Sequence, residues 1–365
     1  MGASIDGIGL ALPEHWVTQA DATQHALATS RATNGQRNFA ERVYQNAGIM
    51  SRHSVLLEAS SEVGEPVRQS YYDPASEQNP NGPSTADRME SYRANASVLA
   101  HRAAADALAD AGVAAEQVTQ LVTVSCSGFY APGFDISLIQ GLPLAAGVGR
   151  THVGFMGCHG ALNGLRVARS LAEADPSATV LLVAVELCSL HYQYDWTPQR
   201  IVSNSLFADG AAALVVRGAD AASGGGLPIR DNWSHVADNS ADAMTWNIGD
   251  HGFEMTLSPE VPGLIDQTLP PRMDEWLARH DLTVADVQNW AVHPGGPKIL
   301  EACESALKLP PSALSASRAT LSKYGNMSSP TVLFVLKELL QSHGAGPTVM
   351  LGFGPGLAIE SALVG

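Results

Sequence analysis

The sequence predicts an α/β protein in which helices cover a sheet, built as two related halves. Two patterns carry that expectation. Segments with helical spacing alternate with short apolar, β-branched runs from residue 89 onward. The same order of segments then returns in the second part of the chain, with similar turn chemistry at matching places.

Residues 89–112 (MESYRANASVLAHRAAADALADAG) keep apolar residues at helical spacing and stop at Gly112. QVTQLVTVSCSG then reads as a buried strand that ends at Cys126. The next unit is a strand, THVGFMG, a tight turn, and a helix, CHGALNGLRVARSLAEAD. ATVLLVAVE is a further β-rich run and places Glu186 and Cys188 near its end. The loop YYDPASEQNPNGPSTAD (71–87) belongs on the surface by composition.

The small-residue stretch ADAASGGGLP (219–228) marks a soft boundary, dividing the chain into residues 1–225 and 226–365. Beyond it, DEWLARHDLTVADVQNWAVHPGG is again helix then strand, and GNMSSPTVLFVLKELL again turn then helix. Cys126 and Cys158 are 32 residues apart, and His293 and Asn326 are 33 apart. DGAAALVV closes the first half and GPGLAIESALV the second, as an internal duplication requires.

With 365 residues, 45% of them hydrophobic, the chain can bury one large core or two medium ones. A net charge of −15 leaves no basic surface for nucleic acid or an anionic membrane, so an anionic ligand needs a local cluster of donors. Four cysteines without a CxxC pair point to reduced thiols in a cytoplasmic protein. The N-terminus lacks the pattern of an export signal, and the most hydrophobic later run is interrupted by Glu186, so no membrane span is expected.

Three residues invite chemistry. Cys158 lies in Gly157-Cys158-His159-Gly160, where a strand gives way to a helix. The unpaired N–H groups and dipole of the helix start would lower its thiol pKa and favour the thiolate. An inert buried cysteine is the alternative. His293 ends the apolar strand of NWAVHPGGPK, at the sheet edge where α/β proteins collect ligands, although a lone histidine is more often structural. Beside a thiolate its imidazolium would complete an activated pair. Asn326 in KYGNMSSP reads, taken alone, as a turn or N-cap asparagine, but it is the second-half counterpart of the Cys158 turn. Neutral His and Asn can both hydrogen-bond one carbonyl oxygen, as an enolate or oxyanion needs. Without an acidic third member, the set suits thioester chemistry with carbon–carbon bond formation after decarboxylation.

VGFMGCHGA, WAVHPGGPKIL, KYGNMSSPTVLFVL and LGFGPGLAIE resemble the signature segments of type III polyketide synthases, the chalcone and stilbene synthase family, in its bacterial branch. The resemblance runs across nearly the whole chain. It implies a thiolase-like fold of two duplicated α/β halves in a layered αβαβα arrangement, and a homodimer. It implies that Cys158 takes the acyl starter, and that His293 and Asn326 activate the thiolate and stabilise the enolate formed when malonyl-CoA loses CO2. The product would be cyclised to an alkylpyrone, resorcinol or phloroglucinol. No metal or organic cofactor is implied, since CoA thioesters are the substrates.

The resemblance also assigns the cavity. Phe207 in SLFADGAAALVV matches the gatekeeper between CoA tunnel and cavity, with a core aromatic as its alternative. Met255 stands at the second gate, where Phe is usual, and would gate less rigidly. Cys126, Cys188 and His191 stand where threonines are common, and Trp246 where a glycine is. Ala131 replaces a methionine that reaches into the partner's cavity. Ser328 keeps the serine that follows the asparagine, and Gly354 and Pro355 belong to the loop of the cavity floor. Bulky Trp246 argues against a wide cavity, and Cys188 resembles alkylpyrone-forming members with a narrow acyl tunnel. Arg52 in MSRHSVLLE is the candidate for the CoA phosphates, with a solvated surface arginine as its alternative.

Two rival readings remain. A ketoacyl-synthase-III-like enzyme would perform one condensation with the same three residue types. A catalytically silent subunit would use the dimer surface as a scaffold. The GFGPG loop and the Phe207 segment favour the polyketide synthase over the first, and retention of Cys158, His293 and Asn326 counts against the second.

Overall fold

The alanine-rich helix runs from Thr85 to Ala111, capped by Ser84 and Asp87 at its start and by left-handed Gly112 at its end. It lies flat on the strand Ala3–Ala11 because both surfaces are small. A side chain at Gly7 or Gly9 would collide with Ala103, Ala107 or Ala111.

In the computed structural model, which describes residues 2–30, 33–62, 65–222 and 224–365, nine strands form one sheet. From edge to edge they are Asn289–Val292, Thr348–Gly354, Ala358–Val364, Leu227–Val236, Ala3–Ala11, Asp209–Arg217, Thr179–Leu187, Gln120–Ser125 and Gly149–Gly154. The strand Leu227–Val236 joins the halves, pairing with Ala358–Val364 and with Ala3–Ile5.

Strand periodicity sorts the core into layers. In Thr179–Leu187 alternate residues Val180, Leu182 and Ala184 face a central cluster, whereas Leu181, Val183 and Val185 face the Thr85–Ala111 helix. Two helices, Gly160–Ala174 and Thr331–His343, fill the central cluster. Helices Val261–Ala278 and Pro297–Leu307 cover the other outer face. The layers therefore run helix, sheet, helix, sheet, helix, as expected of a thiolase-like fold.

The repeated pattern has a structural counterpart. Cys126 and His293 directly follow the parallel strands Gln120–Ser125 and Asn289–Val292, while Cys158 and Asn326 precede the two central helices. Between Ala11 and Thr85 the sequence carries no strong periodicity, yet helices Gln19–Thr29 and Asn34–Gln45 form there. Together with the hairpin Met244–Gly249 and Gly252–Leu257 they supply walls around the site. Among the described residues no helix is long and apolar enough to cross a membrane.

Candidate active site

Cys158 is held by the turn on either side of it. Gly157 adopts φ +83°, and a side chain there would run into the Pro355 ring. The Gly160 N–H donates to the Gly157 carbonyl at 2.9 Å, which closes the turn immediately before the helix. Ser328 Oγ lies 3.5 Å from the Cys158 sulfur and 3.3 Å from that of Cys126, so one hydroxyl stands between two thiols.

The expected depression of the Cys158 pKa is not found. Burial pushes the thiol up to about 11 and the Glu186 carboxylate adds to the rise, while hydrogen bonds from Ser328 and Asn326 oppose it. The resting group is a thiol, and a base must take its proton.

His293 is placed by the neighbouring strand. Its backbone N–H donates to the Leu351 carbonyl at 2.7 Å, continuing the parallel register in which Ala291 pairs with Met350 and Val292 with Leu351. The imidazole therefore stands beside Gly352, on the face that Ala291 and Met350 present to the central helices. It is 1% exposed, and neither ring nitrogen has a hydrogen-bond partner among the described residues. Burial lowers its pKa to about 3, so the free ring is neutral.

Asn326 is fixed by both ends of its amide. Its Nδ2 donates to the Gly295 carbonyl at 3.3 Å, in the turn that follows His293, and its Oδ1 accepts the Ser328 N–H at 2.8 Å. Glu186, fully buried, anchors the other side. It accepts from the backbone of Cys126 and Ser127 and from the hydroxyls of Ser127 and Ser329, at 2.6 to 3.1 Å.

Cys158 opens into a cavity of about 30 Å³ walled by Cys126, Cys188, Phe207, Trp246 and Met255, with Ser328 and Pro355 completing it. That space admits about two waters and no acyl chain. A second chamber of about 110 Å³ adjoins it. Cys188, Phe207, Trp246 and Met255 line both, so these four side chains are the partition. Gly354 does not line the cavity; it leaves room for the His159 ring.

Trp246 is braced by a 2.8 Å hydrogen bond from Nε1 to the Cys126 carbonyl and stands edge-on to His191. His191 donates from Nε2 to the Ser127 carbonyl at 2.6 Å, accepts the Phe253 N–H on Nδ1 at 3.0 Å, and stacks on Phe253. Both ring nitrogens are occupied and burial lowers its pKa to about 3, so it acts as a neutral pillar behind the partition.

Arg52 requires a correction. It is 8% exposed, and its Nη1 donates to the carbonyls of Asn204 and Phe207 at 2.7 and 2.9 Å. A guanidinium buried in this way holds the gate residue and is not presented to CoA phosphates. Arg42 and Lys298 line a separate groove of about 770 Å³ that reaches Gly295 and Gly296; among the described residues no carboxylate lines it. Sequence reasoning missed this pair, whose signal was two scattered basic residues. It also missed Glu186 as an anchor, although a lone acid in an otherwise apolar strand was a usable signal.

A thiol, an imidazole and a carboxamide gathered beside a groove with cations define an acyltransferase acting on thioesters. The chain belongs to the chalcone and stilbene synthase family, the type III polyketide synthases. The family's N-terminal domain model matches residues 2–221 and its C-terminal domain model residues 232–365. The chain is 32% identical to the alpha-pyrone synthesis polyketide synthase-like Pks18 of Mycobacterium tuberculosis, over 99% of this chain and 90% of that protein. It is 32% identical to the 1,3,6,8-tetrahydroxynaphthalene synthase of Streptomyces peucetius, over 100% and 93%. The solved structure of PKS-I from the brown alga Ectocarpus siliculosus superposes with a TM-score of 0.91 at 31% identity, covering 100% of this chain and 98% of that one.

Proposed function

We propose that Cys158 attacks an acyl-CoA starter, with His293 as the base that takes the thiol proton and CoA as the leaving group. Malonyl-CoA then loses CO2. His293 and Asn326 hold the resulting enolate oxygen, and the enolate carbon attacks the Cys158 thioester; the carbon–carbon bond forms as the acyl–sulfur bond breaks, which frees the Cys158 thiolate and leaves the extended chain on CoA, ready to be transferred back to Cys158. Repetition and cyclisation yield an alkylpyrone, resorcinol or phloroglucinol. The reading is supported by a buried, neutral His293 whose ring nitrogens are both unpartnered among the described residues, and by a Cys158 thiol whose pKa burial raises. The pyrone is the favoured product class because Pks18 is named for alpha-pyrone synthesis.

In this reading Arg42 and Lys298 take the CoA phosphates, and Phe207 and Met255 gate the passage. Cys126, Cys188, His191 and Trp246 shape the acyl space. The halves 1–225 and 226–365 are a duplicated unit. The protein works in the cytoplasm as a homodimer. The dimer is supported by Gly149–Gly154, an exposed edge strand, and by exposed Phe129, Phe155 and Met156.

Mass spectrometry of products from malonyl-CoA with acyl-CoAs from acetyl to stearoyl tests the proposal. Pyrones or resorcinols from the wild type, and none from Cys158→Ala, are expected. A single condensation product would favour a ketoacyl synthase, and no product from any starter would favour a silent subunit.

A further inference from the structure

His159 follows the nucleophile and has no place in the chemistry above. It occupies the N-cap position of the Gly160–Ala174 helix but makes no capping hydrogen bond with its side chain. The ring is 2% exposed, and its Nδ1 lies 2.7 Å from Asn163 Oδ1. A carbonyl oxygen only accepts, so Nδ1 carries the hydrogen and Nε2 is bare. That bare nitrogen is buried and has no partner among the described residues.

The register shows where it lies. The His159 ring packs over Gly352 and Gly354, where any side chain would collide with it. His293 stands beside Gly352 on the same face of the sheet. Two imidazoles thus cover the end of one strand, with three unpartnered nitrogens between them. Among the described residues His159 is the titratable group that acts on His293, and because its cation would lower the pKa of that ring, only neutral His159 is compatible with a protonated His293. His159 itself is faced by Arg166 and Glu360, which pair with each other at 3.1 Å, while Glu186 acts on the Cys158 side.

We infer that His159 is a positioning residue for His293: its bare Nε2 accepts an N–H of His293 through one water and stabilises the imidazolium formed when His293 takes the Cys158 proton. The proton moves from sulfur to His293 and His159 stays neutral throughout, so the thiolate–imidazolium pair forms without another charge. The inference rests on the proposed roles of Cys158 and His293.

The test compares wild type, His159→Phe, His159→Gln and His293→Ala. The rate of Cys158 alkylation by iodoacetamide is followed against pH, together with malonyl-CoA decarboxylation. His159→Phe fills the space without an acceptor, and should move the alkylation profile up by about one pH unit and lower kcat about tenfold at unchanged KM. His159→Gln offers an acceptor oxygen and should restore most of both. Circular dichroism checks folding, and His159→Leu replaces the Phe variant if that one does not fold. A His159→Phe profile equal to wild type, with His293→Ala still shifted, overturns the role of His159 alone. Wild-type behaviour in both variants overturns the Cys158–His293 reading as well.

Discussion

Phe207 and Asn326 are bridged through their backbones. The Ala208 N–H donates to the Asn326 carbonyl and the Asn326 N–H to the Leu206 carbonyl, each at 2.9 Å. Phe207 and the Asn326 carboxamide therefore belong to one backbone-linked unit, with the Phe207 carbonyl held from the other side by Arg52. Because the bridge is backbone, the Phe207 side chain can be changed without moving the amide. Phe207→Ala should keep malonyl-CoA decarboxylation within about threefold of wild type while altering the starters accepted, as competition between short and long acyl-CoAs would reveal.

Arg52 and Arg42 should separate cleanly. Arg52→Met leaves the Asn204 and Phe207 carbonyls without that donor and should cost about 1–3 kcal/mol, read as a lowered Tm, with KM for malonyl-CoA little changed. Arg42→Ala and Lys298→Ala should raise that KM about tenfold each, with Tm unchanged.

Trp246 lines both the 30 Å³ and the 110 Å³ cavity. Trp246→Gly removes the largest member of the partition and should join the 30 Å³ and 110 Å³ cavities. Longer starters should then be extended, which mass spectrometry across a series of acyl-CoAs would detect. Loss of the bond to Cys126 and of the ring's packing should cost about 2–4 kcal/mol in urea unfolding.

His191 ties stability to pH. Its pKa falls from the ordinary 6.5 to about 3 on folding, so its contribution is present above pH 6.5 and is lost as pH falls toward 3. The buried carboxylate of Asp209 works in the opposite sense, its pKa being raised to about 6, so the comparison must be between variants. His191→Gln should be destabilised at pH 7.5, and its deficit should shrink by about 1.4 kcal/mol per pH unit below pH 6.5. Urea unfolding at several pH values measures this.

The proposed dimer is tested at its apolar face. Phe129→Asp combined with Met156→Glu places charge on two exposed hydrophobic positions and should yield monomers in analytical ultracentrifugation, whereas the wild type should sediment as a dimer.

Much of the molecule was legible because its signals are local. The Thr85–Ala111 helix announces itself through spacing and Gly112, and the turns at Cys158 and Asn326 through glycines at matching places in two halves. Arg52 was misread because nothing in MSRHSVLLE shows that Tyr44, Asn204 and Phe207 will close around it. His159 was visible in GCHG, but only the pairing of His293 beside Gly352 makes it a neighbour of the catalytic imidazole.

Residue type and order, by themselves, determined the alternation of helices and strands and pointed to Cys158, His293 and Asn326 as candidates, because periodicity and turn chemistry act over a few residues. Tertiary structure decided the protonation states, the partition and the entrance. Those depend on desolvation and enclosure, which are produced jointly by segments as distant as Gln19–Gln45, Thr179–Leu187 and Met244–Leu257. A thiol expected to ionise at the helix start instead remains protonated, since burial by what surrounds it in space raises its pKa.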